Sequence, residues 1–100
     1  MRLLVFGKSG QVAQSLAIAC KIDGIEAEFL ERNPVDLTNP LACASKIAAA
    51  DADIIINAGA YTGVDKAEED TQAAQLVNAA SPIEMAREAA RRNIAFLHIS

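Results

Sequence analysis

A glycine-rich segment at residues 7–13 (GKSGQVA) combines residue types that suit the binding of an anion. Gly7 ends an apolar run, and Gly10 stands where a helical pattern begins. Glycines allow a ligand to approach the backbone, and the free N–H groups at a helix start favour a pyrophosphate. The spacing is GxxG rather than GxG, and Ala13 takes the third small position. The pattern predicts a dinucleotide-binding turn, with a purely structural tight turn as the alternative.

Two further pairs of residues follow the apolar segment at residues 25–29 and could contact a nucleotide. Glu31 can accept hydrogen bonds from a ribose 2′-hydroxyl, whereas Arg32 could pair with a 2′-phosphate. The two side chains therefore favour opposite cofactors, and a solvated turn is the alternative. Asp36 and Leu37 could contact the adenine or simply precede a helix cap.

A second run of small residues, Asn57-Ala58-Gly59-Ala60 followed by Tyr61 and Thr62, comes directly after three isoleucines. Small residues beyond a buried strand indicate a close approach of backbone to another group. A ribose or the nicotinamide-side phosphate would fit there.

Other polar residues favour structural roles. The charged residues at 65–70 are spaced as in a solvated helix start rather than a metal site. The single histidine, His98, lies in an apolar strand pattern, where a satisfied core or strand-end residue is favoured over a catalytic base. No metal site and no catalytic residue are predicted.

Alternating strands and helices must position these segments. Apolar runs predict strands at residues 3–6, 25–29, 54–56 and 94–99, the second of them peripheral and the third central. Helical spacing predicts helices from Gly10 to a stop at Asp23-Gly24, from Pro40 to about residue 51, and from about residue 71 to residue 92. Val12, Leu41 and Ile83 are assigned to the apolar faces of these helices. The order βαβαβαβ predicts an α/β, doubly wound parallel sheet with helices on both faces.

Composition limits the classes of partner. One hundred residues suit one domain, and a net charge of -4 with 4% aromatic residues gives neither a basic stripe nor a base-stacking surface. Nucleic acid is therefore not expected.

The first apolar run stops at Gly7, too short for a signal peptide or a membrane span, which predicts a cytoplasmic protein. Cys20 and Cys43 are expected to be buried free thiols.

Five segments together resemble the dTDP-4-dehydrorhamnose reductases of the extended short-chain dehydrogenase/reductase superfamily. They are GKSGQVA, the pair Asp36-Leu37, NAGAYTGVDKAEED, QLVNA and the final HIS. Residues 57–68 are the most specific, being similar to the NAAAxTxVDxAE segment of that family. The resemblance runs through essentially the whole chain, and it implies a Rossmann-like fold and NADPH or NADH as cofactor.

The resemblance also assigns roles to cofactor-binding residues. It implies that Gly10, Gln11 and Val12 contact the pyrophosphate and that Asp36 and Leu37 contact the adenine region. It further places Ala60, Tyr61 and Thr62 at the ribose and nicotinamide side. Ala13 and the pair Glu31-Arg32 depart from the family pattern, so the preference between NADH and NADPH stays open.

The family's catalytic groups are a Ser or Thr just after the HxS strand and a later Tyr-x-x-x-Lys, and no YxxxK occurs here. In the family the tyrosine protonates the sugar carbonyl while the nicotinamide delivers hydride. We therefore expect residues 1–100 to be the N-terminal, truncated part of a Rossmann domain that lacks the substrate-binding lobe. By itself the chain should be inactive and bind nicotinamide weakly.

Three functions are compatible with this resemblance. The first is the cofactor-binding part of a reductase that converts dTDP-4-dehydro-rhamnose to dTDP-rhamnose. The second is a non-catalytic nucleotide-binding regulatory subunit of the same superfamily, and the third is a reductase or epimerase that acts on another nucleotide sugar. A nucleotide sugar is the expected substrate of the longer parent protein, and a homodimer is left open.

Overall fold

The structure is a computed structural model that describes residues 1–8, 10–30, 38–59 and 75–99. Its strands and helices alternate as the apolar pattern predicts. The strands are β1 (Arg2–Phe6), β2 (Glu26–Leu30), β3 (Ile54–Asn57) and β4 (Ala95–His98). The helices are α1 (Gln11–Asp23), α2 (Pro40–Ala49) and α3 (Ser81–Arg91), with a π-helical segment, Leu76–Ala80, immediately before α3.

The four strands form one parallel sheet in the order β2-β1-β3-β4. The chain moves from β1 to β2 in one direction and then crosses back over β1 to place β3 on its other side. The strand order therefore reverses at β1, which lies between β2 and β3. This position is where α/β sheets of this kind bind ligands, beyond the carboxyl ends of the strands.

Two apolar cores lie on opposite faces of the sheet. One core joins α2 and α3 to the sheet through Cys43, Ile47, Met85 and Ala89. The other joins α1 to the sheet through Cys20. Alternate residues of β1 enter the two cores, as the side-chain period of a strand requires. The doubly wound architecture and both buried free thiols are thus confirmed.

The helix ends follow from local sequence. Asn39 caps α2 by accepting a hydrogen bond from the Ala42 N–H at 3.1 Å, and Pro40 occupies the first turn, where no N–H partner is needed. Gly24 ends α1 in the left-handed conformation with a φ of 68°. These short signals explain why α1 and α2 begin and end close to the predicted positions.

The helix predicted over residues 71–92 is not one regular α-helix in the structure. Residues 71–74 lie outside the described ranges, and Leu76–Ala80 forms a π-helix, in which the Ser81 N–H donates to the Leu76 carbonyl. Pro82 follows in the first turn of α3 and has no N–H to donate to the turn before it. The longer turn changes the helical phase, so Ser81, Met85 and Ala89 are buried while Ile83 is 57% exposed.

Two further large apolar side chains that were assigned to helix faces also lie outside the cores. Val12 of α1 is 45% exposed and Leu41 of α2 is 73% exposed, so their assignment to buried helix faces was wrong. Ala13 is buried in place of Val12, and Cys43 in place of Leu41. Small residues occupy these positions because the helices pack close to the sheet there.

A guanidinium from the end of α3 holds the end of α2. The Nη1 of Arg92 donates to the carbonyl oxygens of Ile47 at 2.6 Å and Ala50 at 2.7 Å. These carbonyls lie at the helix C-terminus, where the regular helical amide partners run out; the Ile47 carbonyl also accepts from the Ala50 N–H at 3.1 Å. A charged donor is favourable at this negative end of the helix dipole.

We expect Arg92→Met to lower the free energy of unfolding by roughly 1–2 kcal/mol, since it keeps the aliphatic stem but removes a charge-assisted donor. Chemical denaturation would measure the loss. Arg87→Met is the matched control, because the exposed side chain of Arg87 pairs with Glu84 on the same helix. That control should cost less than about 0.5 kcal/mol. Equal losses for the two variants would contradict the role of Arg92.

Candidate functional site

The carboxyl ends of β1 and β3 bring together two of the predicted site segments. Phe6 and Asn57 are paired in register, and the Ala58 N–H donates to the Phe6 carbonyl at 2.8 Å. The chain after β1 and the chain after β3 therefore leave the sheet side by side. Gly7, Ala58 and Gly59, which the sequence predicted separately, lie in one place.

Gly7 is held at the centre of this arrangement. Its N–H donates to the Leu30 carbonyl at the end of β2, at 2.9 Å, and its φ is 119°. A Cβ at this position would lie 3.0 Å from the Ala58 oxygen and 3.3 Å from the Gly59 nitrogen. Glycine is required here both by the backbone conformation and by the close approach of the β3 segment.

The start of α1 is open. Gly10 precedes the helix with an extended backbone, no side chain caps the first turn, and the first turn contains no acidic residue. A Cβ built on Gly10 would meet no atom within 4 Å. Gln11 and Val12 are exposed, while Ala13 is buried. The first-turn amides lack partners within the helix and carry its positive dipole end, so this surface suits an anion.

An apolar groove of about 520 Å³ lies beside the first turns of α1 and extends across the sheet to β4. Its lining is mainly apolar, with Gln11 and Ser15 as the polar members. Among the described residues, no charged side chain lines the groove. Binding of a phosphate near this surface would therefore depend on the backbone amides at the start of α1.

Asn57 is the polar side chain that joins these segments. It is only 2% exposed at the end of β3. Its Oδ1 accepts a hydrogen bond from the Gly59 N–H at 3.2 Å, and its Nδ2 lies 3.1 Å from the Nδ1 of His98 at the end of β4. His98 is a strand-end residue, as predicted, and it is exposed. In the sequence, Asn57 was identified only as the first of the small residues, although a polar residue directly after three isoleucines was the available signal.

A cluster of charged residues lies at the amino ends of the strands. Arg2 pairs with Glu26 at 2.9 Å and with Asp51, and its backbone N–H donates to Asp53. The hydrogen bond to Glu26 and the nearby Asp51 raise the pKa of Arg2 above its ordinary value. One arginine thus faces three carboxylates, so the cluster keeps a net negative charge, on the opposite side from the glycine turn.

Seven of the predicted site residues lie outside the described ranges. They are Glu31, Arg32, Asp36, Leu37, Ala60, Tyr61 and Thr62. Within the described ranges, no three metal-ligating side chains come together, and none of the helices could span a membrane.

Comparison with known proteins points to one family. The model of the RmlD substrate binding domain matches residues 1–100. A dTDP-4-dehydrorhamnose reductase from Aggregatibacter actinomycetemcomitans is 39% identical over 100 residues, which cover 99% of this chain and 34% of that protein. The chain thus spans about a third of the length of the curated relatives it matches.

Solved structures share the fold. A hypothetical dTDP-4-dehydrorhamnose reductase from Sulfolobus tokodaii is 29% identical, with a TM-score of 0.88, over 100% of this chain and 39% of that one. A dTDP-4-dehydrorhamnose reductase from Bacillus anthracis in complex with NADP has a TM-score of 0.81 over 95% of this chain and 34% of that one. At 23% identity, this second likeness shows the fold alone.

Proposed function

The chain belongs to the RmlD substrate binding domain family, and from this premise we propose that it is the cofactor-binding part of an NAD(P)H-dependent reductase. The parent protein would convert dTDP-4-dehydro-rhamnose to dTDP-rhamnose. Although the name of the family refers to substrate binding, we assign residues 1–100 to cofactor binding, and one observation carries this assignment. The glycine turn after β1 packs on the β3 segment directly beside the uncapped start of α1.

The described residues fit a dinucleotide. The first-turn amides following Gly10 offer donors to a pyrophosphate, and the absence of a side chain on Gly10 leaves the approach open. Gln11 and Val12 are exposed at this point. The backbone of Ala58 and Gly59 would lie on the ribose side, with Ala60, Tyr61 and Thr62 continuing it. Asp36 and Leu37 would contact the adenine.

The chemistry would be divided between this chain and the rest of the parent protein. When bound, NADPH or NADH supplies a hydride for the sugar carbonyl. The residues of this chain bind and orient the cofactor, and Glu31 and Arg32 decide between a 2′-hydroxyl and a 2′-phosphate. The proton donor is expected in a Tyr-x-x-x-Lys segment of the parent protein. Residues 1–100 alone would therefore bind nicotinamide weakly and catalyse no turnover.

The cellular setting is part of the same proposal. A nucleotide-sugar reductase of this kind would work in the cytoplasm, where its cofactor and substrate are available, and it would need no nucleic acid or membrane partner. A homodimer of the parent protein is compatible with the proposal. Size measurement of the parent protein in solution would test that assembly.

The decisive experiment combines the coding sequence with an assay. We expect the sequence beyond residue 100 to encode a Ser or Thr close by and a YxxxK further on. The purified parent protein should oxidise NADPH or NADH when given dTDP-4-dehydro-rhamnose, as followed by absorbance. A parent without the tyrosine and without turnover would instead favour a regulatory subunit. Turnover with a different nucleotide sugar alone would reject the proposed substrate but retain the cofactor role.

A further inference from the structure

The contact between Asn57 and His98 has a direction that the surrounding backbone determines. The Gly59 N–H can only donate, so the side-chain atom of Asn57 that faces it at 3.2 Å must be the carbonyl oxygen. The other amide atom, Nδ2, then faces His98 Nδ1 at 3.1 Å. An amide nitrogen donates and does not accept, and therefore the ring nitrogen of His98 must accept.

This direction selects one form of the imidazole. A neutral imidazole has one N–H and one bare nitrogen, and the bond made by one nitrogen decides which atom carries the proton. With Nδ1 accepting, the proton belongs on Nε2. The His98 side chain is exposed, so this N–H is a donor at the edge of the site rather than a buried group.

We propose that Asn57 and His98 form a directional hydrogen-bond relay that fixes His98 as its Nε2–H tautomer and ties the end of β4 to the glycine turn. Asn57 is a positioning residue: through Gly59 it holds the backbone that approaches Gly7, where a Cβ would come within 3.3 Å of the Gly59 nitrogen. Any role of the relay in cofactor binding rests on the proposed function. The existence of the relay does not depend on that function.

The burial of Asn57 explains why the relay is specific. The side chain is 2% exposed, and solvent cannot replace a lost partner without rearrangement. Reversing the amide would turn its NH₂ group towards the Gly59 N–H and place two donors face to face. Both hydrogen bonds are satisfied in only one orientation of the amide and one tautomer of the ring.

The test uses the single histidine of the chain, whose ring signals need no assignment among others. We would record long-range proton–nitrogen spectra of the ¹⁵N-labelled chain at alkaline pH, where imidazole is neutral. We expect a bare Nδ1 and a protonated Nε2. Asn57→Asp should invert this pattern, since a carboxylate only accepts and requires an N–H from Nδ1. The aspartate still accepts from Gly59.

Two comparisons make the outcome unambiguous. Asn39→Asp introduces the same charge at the start of α2 and keeps the capping oxygen, so it should leave the His98 tautomer unchanged. Asn57→Ala should accelerate hydrogen exchange of the Gly59 amide, whereas Asn57→Asp should preserve its protection. A wild-type ring protonated on Nδ1, or an Asn57→Asp ring identical to wild type, would overturn the relay. All of these spectra are taken without cofactor, so a failure of dinucleotide binding would not affect them.

Discussion

Gly7→Ala is expected to lower the free energy of unfolding by roughly 3 kcal/mol or more, the largest loss for a single methyl group that we foresee in this chain. Two costs add at this position. The backbone φ of 119° is one that residues with a Cβ rarely adopt. The new methyl would also lie 3.0 Å from the Ala58 carbonyl oxygen and 3.1 Å from its carbon, both of which are backbone atoms.

Alanine substitutions at two other glycines, compared by their denaturation curves, distinguish the cost of the backbone conformation from the cost of the steric clash. Gly24 has a φ of 68° but open space around its missing side chain, so Gly24→Ala should cost only the conformational strain, about 1 kcal/mol. Gly10 has a negative φ and equally open space, so Gly10→Ala should cost neither strain nor a clash, only the roughly 0.5 kcal/mol by which alanine is the poorer N-cap. A Gly7→Ala loss no larger than that of Gly24→Ala would mean that the β3 segment moves aside readily.

The elements that sequence analysis placed well are those whose signals are local. β1 and β3 are short apolar runs that lead into small residues, and covered parallel strands need little else to be recognised. The start of α2 was equally clear, because Asn39 and Pro40 provide a cap and a first-turn residue that act within a few positions. These features depend on neighbours in the chain rather than on distant contacts.

The phase of α3 depended on structure that no local pattern revealed. Pro82 was recognised as a disturbance, but its accommodation by the π-helical segment adds about one residue to the turn. Ile83 was consequently assigned to the buried face in place of Met85. An apolar pattern counted at 3.6 residues per turn cannot register such an insertion.

In the candidate site, too, local signals were recognised from the sequence and distant contacts were not. Gly7 and Gly59 were identified separately from composition and position, but their contact follows from β1 and β3 being neighbours in the sheet. The pairing of Asn57 with His98 spans 41 residues and arises from the register of β3 and β4. Local sequence indicates which residue types are unusual, whereas strand order decides which of them meet.

Gly10→Asp should change stability and cofactor affinity in opposite directions. Aspartate is a better N-cap than glycine and places a negative charge at the positive end of α1, where the first turn has no acidic residue. We expect the free energy of unfolding to rise by about 0.5–1 kcal/mol. The same carboxylate would occupy and repel the proposed pyrophosphate position. Affinity of the parent protein for NADPH should fall at least about tenfold, which corresponds to about 1.4 kcal/mol.

Gly10→Asn distinguishes the charge from the cap, because asparagine caps helices about as well as aspartate but is neutral. Calorimetric titration of both variants of the parent protein with NADPH, together with thermal denaturation, provides the comparison. Asparagine should retain most of the capping gain and lose less affinity than aspartate, and the difference should shrink as salt is added, since screening weakens charge repulsion. Unchanged NADPH affinity in Gly10→Asp would place the pyrophosphate elsewhere, because an anion at this helix start could not tolerate a carboxylate beside it.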